Sequence, residues 1–155
     1  MARRTLSAAL ATVAIIAPTS VFACAASPTA AFERFVAAFN ALDWASFKNC
    51  LADDVSLFNP DIAAAISLRR IDGRKEVERS FRAIFDAAGA GGPAPHGPNI
   101  VPEHISLART GDAALVTFEF KRSEHSFGRR SLLLTQVNGE WRVSHIHASN
   151  VDTNL

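Results

Sequence analysis

Asn138-Gly139-Glu140-Trp141-Arg142-Val143-Ser144-His145-Ile146-His147-Ala148-Ser149 is the stretch that decides the fold. Asn-Gly supplies the two positive-φ residues of a tight two-residue hairpin. Trp141–Ser149, just after the turn, reads as a strand. Side chains alternate across a strand, so Trp141, Val143, His145, His147 and Ser149 are expected on one face. Trp and Val favour the buried side, and the two imidazoles would then line a pocket. Working outward from the turn, Arg129–Val137 reads as the paired strand. Ala113–Lys121 and Ile100–Leu107 precede it, joined through the turn Thr110-Gly111-Asp112.

The N-terminal half has the other period. Ser27-Pro28 reads as an N-cap followed by Pro at the first helical position. Phe32, Phe35, Val36 and Phe39 then recur at helical spacing. Asp43 caps a second, short helix with Trp44, Phe47 and Leu51 on one side. Asp53-Asp54 is expected to end that helix and lead into a short strand, Val55–Phe58, stopped by Asn59-Pro60. Ala64–Ile71 reads as a strand or an irregular return. Asp72-Gly73 opens a third helix carrying Val77, Phe81, Ile84 and Phe85. Ala87–Pro98, rich in Gly, Ala and Pro, reads as a loop. Helices first and a meander of strands last indicate an α+β domain, with a curved antiparallel sheet wrapped on three helices.

Residues 1–23 read as a secretory signal peptide, with Arg3 and Arg4, the uncharged run Leu6–Ala17, and Val21-Phe22-Ala23 as the cleavage site. The apolar run falls short of the ~20 residues a membrane span needs. The expected domain is therefore residues 24–155, placed in the periplasm or secreted. The chain's formal charge is +1, and loss of the two leader arginines takes it to −1. No basic stretch marks a nucleic-acid or anionic-lipid partner. The two cysteines are Cys24 and Cys50. An oxidising compartment permits a bond between them. Val21-Phe22-Ala23-Cys24 also resembles a lipoprotein acylation site, which would anchor the chain to a membrane through Cys24.

This order of elements resembles the SnoaL-like and nuclear-transport-factor-2-like superfamily, over about Thr29–Ser149. Asn40-Ala41-Leu42-Asp43-Trp44 through Leu51-Ala52-Asp53-Asp54-Val55 is similar to its helix-to-strand entry. Asp72-Gly73-Arg74 is similar to the start of its third helix. The last strand, Gly139-Glu140-Trp141 through His145-Ile146-His147-Ala148-Ser149, resembles the version in calcium/calmodulin-dependent kinase association domains. The resemblance implies a cone-shaped fold with a cavity between helices and sheet, and usually a homodimer. It also implies either ligand binding or enzymatic roles. The superfamily's ketosteroid isomerases use a Tyr as an oxyanion donor. This chain contains no tyrosine, so that donor is missing.

The expected site is His145, His147, Arg129 and Trp44. Each imidazole is either a satisfied core residue or a pocket group, and in an enzyme His147 or His145 would act as general base. Arg129 would receive a carboxylate if it points inward, while Arg130 beside it would face the other way. Trp44 reads as core or as a ligand platform. Glu119, between Phe118 and Phe120, is expected in solvent. His104, His125 and Glu119 do not complete a metal set with the two histidines, and no metal or cofactor is expected. Leu132 and Leu134, out of phase with Arg129, would form an outward apolar patch for a second copy.

The leading reading is a domain that binds a small organic ligand, with an acidic one favoured. Its rivals are a small-molecule isomerase, cyclase or hydrolyase, and a ligand-free dimerisation scaffold. The lack of Tyr and of a clear carboxylate base favours binding.

Overall fold

The computed structural model describes residues 24–59, 70–89 and 99–153. Residues 1–23 of the expected leader, Ala64–Arg69 of the expected return and residues 90–98 of the expected loop lie outside the described residues. Ser27 caps α1 (Pro28–Asn40), its side chain accepting from Ala30 N at 3.2 Å. Asp43 caps α2 (Trp44–Asn49), accepting from Ser46 N at 3.1 Å. The Ser46 side chain, and after it this backbone bond, holds the Asp43 carboxyl below its ordinary pKa. β1 (Leu51–Phe58), β2 (Ile71–Asp72) and α3 (Arg74–Gly89) come next. The four long strands are β3 (Glu103–Thr110), β4 (Ala113–Ser123), β5 (Ser126–Val137) and β6 (Glu140–Asp152).

The six strands form one sheet in the order β2-β1-β6-β5-β4-β3. It is a curved, open sheet packed on the three helices, giving an α+β domain. One pairing departs from the antiparallel expectation: β1 runs parallel to β6. Parallel neighbours need a long crossover, and here α3 and four strands intervene. A second correction concerns Asp53 and Asp54. They do not end α2 but lie exposed within β1, where the register to β6 shifts between Leu51 and Ser56.

The helices meet the sheet through aromatic rings. Phe47 is fully buried, with Phe35 and Phe81 each 4.8 Å away and Phe85 at 5.1 Å. Phe32 on α1 reaches Phe118 on β4 at 5.3 Å. The inner face of the sheet supplies Leu57, Val116, Phe118, Leu132, Leu134, Trp141, Val143 and Ile146, all buried. Leu132 and Leu134 therefore belong to the core, not to an outward patch. Their antiparallel register to β4, Leu132 opposite Val116, puts them in phase with its inward side chains.

Cys24 and Cys50 form a disulfide, with Cα atoms 4.7 Å apart. It ties the N-terminal segment to the start of β1. Trp141 N donates to Ala25 O at 2.9 Å and Arg34 Nη1 to Cys24 O at 3.1 Å, so the same segment also closes over β6. Among the described residues no helix is long and apolar enough to cross a membrane.

Candidate functional site

One irregularity decides which residues face the cavity. On β6, Val143 pairs with Leu134 and His145 pairs with Leu133, so Ser144 is an extra residue in the strand. Its hydroxyl donates to Leu133 O at 3.2 Å. A one-residue bulge inverts the in–out phase beyond it. Trp141 and Val143 face inward before Ser144, and Ile146 and Ala148 face inward after it. His145 and His147 are carried to the outer face, contrary to the parity expectation.

On that outer face Ser56 Oγ lies 2.8 Å from His145 Nδ1. Phe58, exposed on the same side, stands 5.8 Å from the His145 ring and 5.7 Å from the His147 ring. Partial burial pulls the His145 pKa below its ordinary value. The Arg70 guanidinium and His147 push the same way, while Asp72 opposes them. Arg129 is also outside. Its side chain is 55% exposed and its Nε donates to Glu119 Oε1 at 3.2 Å. Glu119 Oε2 lies 3.3 Å from His104 Nδ1. Trp44 is in neither place. It packs against Phe47 and Phe85, with the Arg82 guanidinium 5.5 Å over its ring, and serves the helix interface. The four expected residues thus do not converge on a cavity.

The cavity lies between α1, α3 and the inner face of the sheet. Phe35, Val36 and Phe39 come from α1 and Phe81 and Ile84 from α3. Phe118, Leu132, Ile146 and Ala148 come from the sheet, with Asn59 and Ile100 at its margin. Its volume is about 90 Å³, below the ~300–1,000 Å³ of sites for drug-sized molecules. The Asn40 amide pins Ile100 with two bonds of 2.7 Å, one to its carbonyl oxygen and one from its backbone N–H.

Among the described residues, one cation lines this apolar space. Arg130 faces inward between Gly128 and Leu132. Its Nη1 donates to Ser149 O at 2.9 Å and Arg129 O at 2.8 Å, and its guanidinium stands 4.8 Å over the Phe120 ring. No ion pair to a carboxylate is present for it among the described residues. Burial, aided by the nearby Arg122, pushes its pKa down to about 10. The expected ligand contact is its neighbour Arg129, although alternation alone leaves open which of the two turns inward. The signal that identifies Arg130 is its shared phase with Leu132 and Leu134, read against Val116 and Phe118 on β4. Among the described residues the cavity lining contains no imidazole or carboxylate. Nor do those residues gather three or more metal-ligating side chains anywhere.

A family model described as a SnoaL-like domain matches residues 29–153. Three solved structures show the same fold. A candidate calcium/calmodulin-dependent protein kinase type II association domain from Thiobacillus denitrificans is 22% identical, with TM-score 0.63, covering 81% of this chain and 96% of the other. A protein of unknown function from the DUF3225 family of Pectobacterium atrosepticum is 21% identical, with TM-score 0.62, over 80% and 88%. A candidate dehydratase of the NTF2-like family from Streptomyces avermitilis is 20% identical, with TM-score 0.61, over 77% and 90%. No curated protein matches the sequence.

Proposed function

The chain belongs to the SnoaL-like domain family, and from that premise we propose that it binds a compact organic carboxylate in its cavity, with Arg130 as the anchoring cation. The observation that carries this reading is a largely buried guanidinium, without a carboxylate partner among the described residues, beside an apolar space. A charge taken from water without a counterion is costly. An anionic ligand supplies the missing counterion, and a guanidinium suits a planar carboxylate geometrically. The apolar walls would take the ligand's hydrocarbon body. The small volume favours a short chain over a fused-ring substrate.

Binding is favoured over proton-abstraction chemistry, because the described lining offers no group of suitable pKa for a general base. The names of neighbouring structures as a candidate dehydratase or a candidate ketosteroid isomerase concern proteins no more than 20% identical, and function lies in the site rather than the fold.

We further propose that the domain is exported and works as a homodimer. Residues 1–23 have the composition of a leader, and the Cys24–Cys50 bond suits an oxidising compartment. A sulfur in that bond is not free for a lipid, so the disulfide favours a processed, unanchored chain. For the dimer, the outer sheet face exposes Phe58 at 40% and Leu115 at 45%, a surface suited to a second copy.

Calorimetric titration of the mature protein with butyrate, benzoate and acetate tests the ligand class. Saturable binding of one acid that disappears in Arg130→Met supports it. Absence of binding by all three, with no acid detected by mass spectrometry in protein from its native host, overturns it.

A further inference from the structure

We infer that Gly128 and Phe120 are positioning residues for Arg130. The side chain missing at position 128 leaves room for the Phe120 ring to lie across β5 as the platform that holds the guanidinium at the cavity. This rests on the reading that the cavity takes a carboxylate.

Phe120 and Gly128 are direct partners across β4 and β5. Arg130 is two residues further along β5, on the same face. Gly128 is not among the described glycines with positive φ, which are Gly73, Gly111 and Gly139. Its backbone is therefore open to any residue, and the constraint is one of space. A Cβ at position 128 would overlap the far edge of the Phe120 ring, at Cζ, Cε1 and Cε2. The ring is buried, with Phe118 at 6.3 Å on one side and the Arg130 guanidinium at 4.8 Å. Displacing the ring must therefore displace what rests on it.

The choice of partner matters for the ligand. An aromatic face attracts a cation without neutralising it, and the carbonyl oxygens of Arg129 and Ser149 orient Nη1 without supplying a negative charge. A carboxylate in the same place would hold the guanidinium equally well and satisfy its charge. The Gly128–Phe120 platform thus keeps Arg130 ordered and its charge available, which favours an anion over a neutral ligand of the same shape.

The test compares butyrate with its neutral isostere butyramide by NMR titration, in the wild type, Gly128→Ala and Phe120→Leu. The Arg130 Nε–H resonance is followed in the same samples without ligand. Wild type is expected to favour butyrate at least ~10-fold, as a charge-assisted pair implies. Both variants should bring that ratio within ~2-fold of unity while butyramide affinity changes less than ~2-fold. The ring-shifted Nε–H signal should move toward the position of a free arginine in both. If butyrate preference and the Nε–H signal persist in the variants, the platform is overturned and the carboxylate site stands. If both ligands weaken equally, the residues are merely structural and the platform is again overturned. If wild type shows no preference but the Nε–H signal still responds to both substitutions, the carboxylate reading fails while the positioning of Arg130 holds. Phe120→Leu removes the platform without adding a Cβ beside the strand, so a poorly folded Gly128→Ala does not remove the test.

Discussion

Arg129 and Arg130 are consecutive on β5 and serve opposite faces of the sheet. Arg129 meets Glu119 in solvent, and Arg130 turns toward the cavity against Phe120. The same charge is screened in one place and confined in the other.

That contrast sets the first prediction. Depression of the Arg130 pKa to about 10 corresponds to a cost of about 3 kcal/mol in the folded state. The cost applies below pH ~10, where the group is charged in both folded and unfolded chains. Arg130→Met should therefore raise stability by about 1–3 kcal/mol while abolishing carboxylate binding. Arg129→Met should change stability by less than about 0.5 kcal/mol and leave binding intact. Urea unfolding and ligand titration of the two variants measure both effects. A marked loss of stability in Arg130→Met contradicts the assignment.

His145 predicts a pH dependence. Its folded pKa lies below the ordinary value of 6.5, so between those two values the unfolded chain binds more protons than the folded one. Stability should therefore fall as pH drops from about 6.5 through the folded pKa. In His145→Gln this part of the acid loss should be missing. Thermal melts from pH 7.5 to 5 on both proteins show whether the two curves converge at low pH, as expected, or stay parallel.

The Ser144 bulge gives a paired prediction. Ser144→Ala loses only the bond to Leu133 O and should cost about 1 kcal/mol. Deleting Ser144 removes the extra residue and leaves Val143 opposite Leu134 and His145 opposite Leu133 in an unbroken ladder. Ile146 and Ala148 should therefore stay inward and His145 and His147 outward, and the variant should fold. Loss of solvent access to the two imidazoles in the deletion variant, followed by NMR, would mean that the bulge does not set the phase.

Reduction of the Cys24–Cys50 bond should destabilise the domain by about 3 kcal/mol, since the bond spans 26 residues of chain. Guanidinium unfolding with and without a phosphine reductant gives the value. Intact mass of protein from its native host should show a chain beginning at Cys24 or close to it, without a lipid.

For the proposed dimer, light scattering at micromolar concentration should give twice the chain mass. Leu115→Lys, on the outer face, should reduce it to one. A monomeric wild type would reject the dimer without touching the cavity.

Periodicity carried most of the architecture. The Phe spacing of α1 and α3, the caps Ser27 and Asp43, and the Asn138-Gly139 turn are local signals, and local hydrogen bonding and burial act on them directly. The choice between Arg129 and Arg130 was not legible in this way. Leu132-Leu133-Leu134 is apolar in both phases, so alternation along β5 alone cannot say which arginine turns inward. On β6 the alternation was clear, but Ser144 adds a residue that no periodic pattern announces. The sequence by itself determined the α+β order, the helices, the hairpins and two cysteines able to pair. Only the tertiary structure decided the faces, because the phase of β5 and β6 is imposed by their neighbours. Val116 opposite Leu132 and Leu133 opposite His145 bring those strands into register from positions far away in the chain.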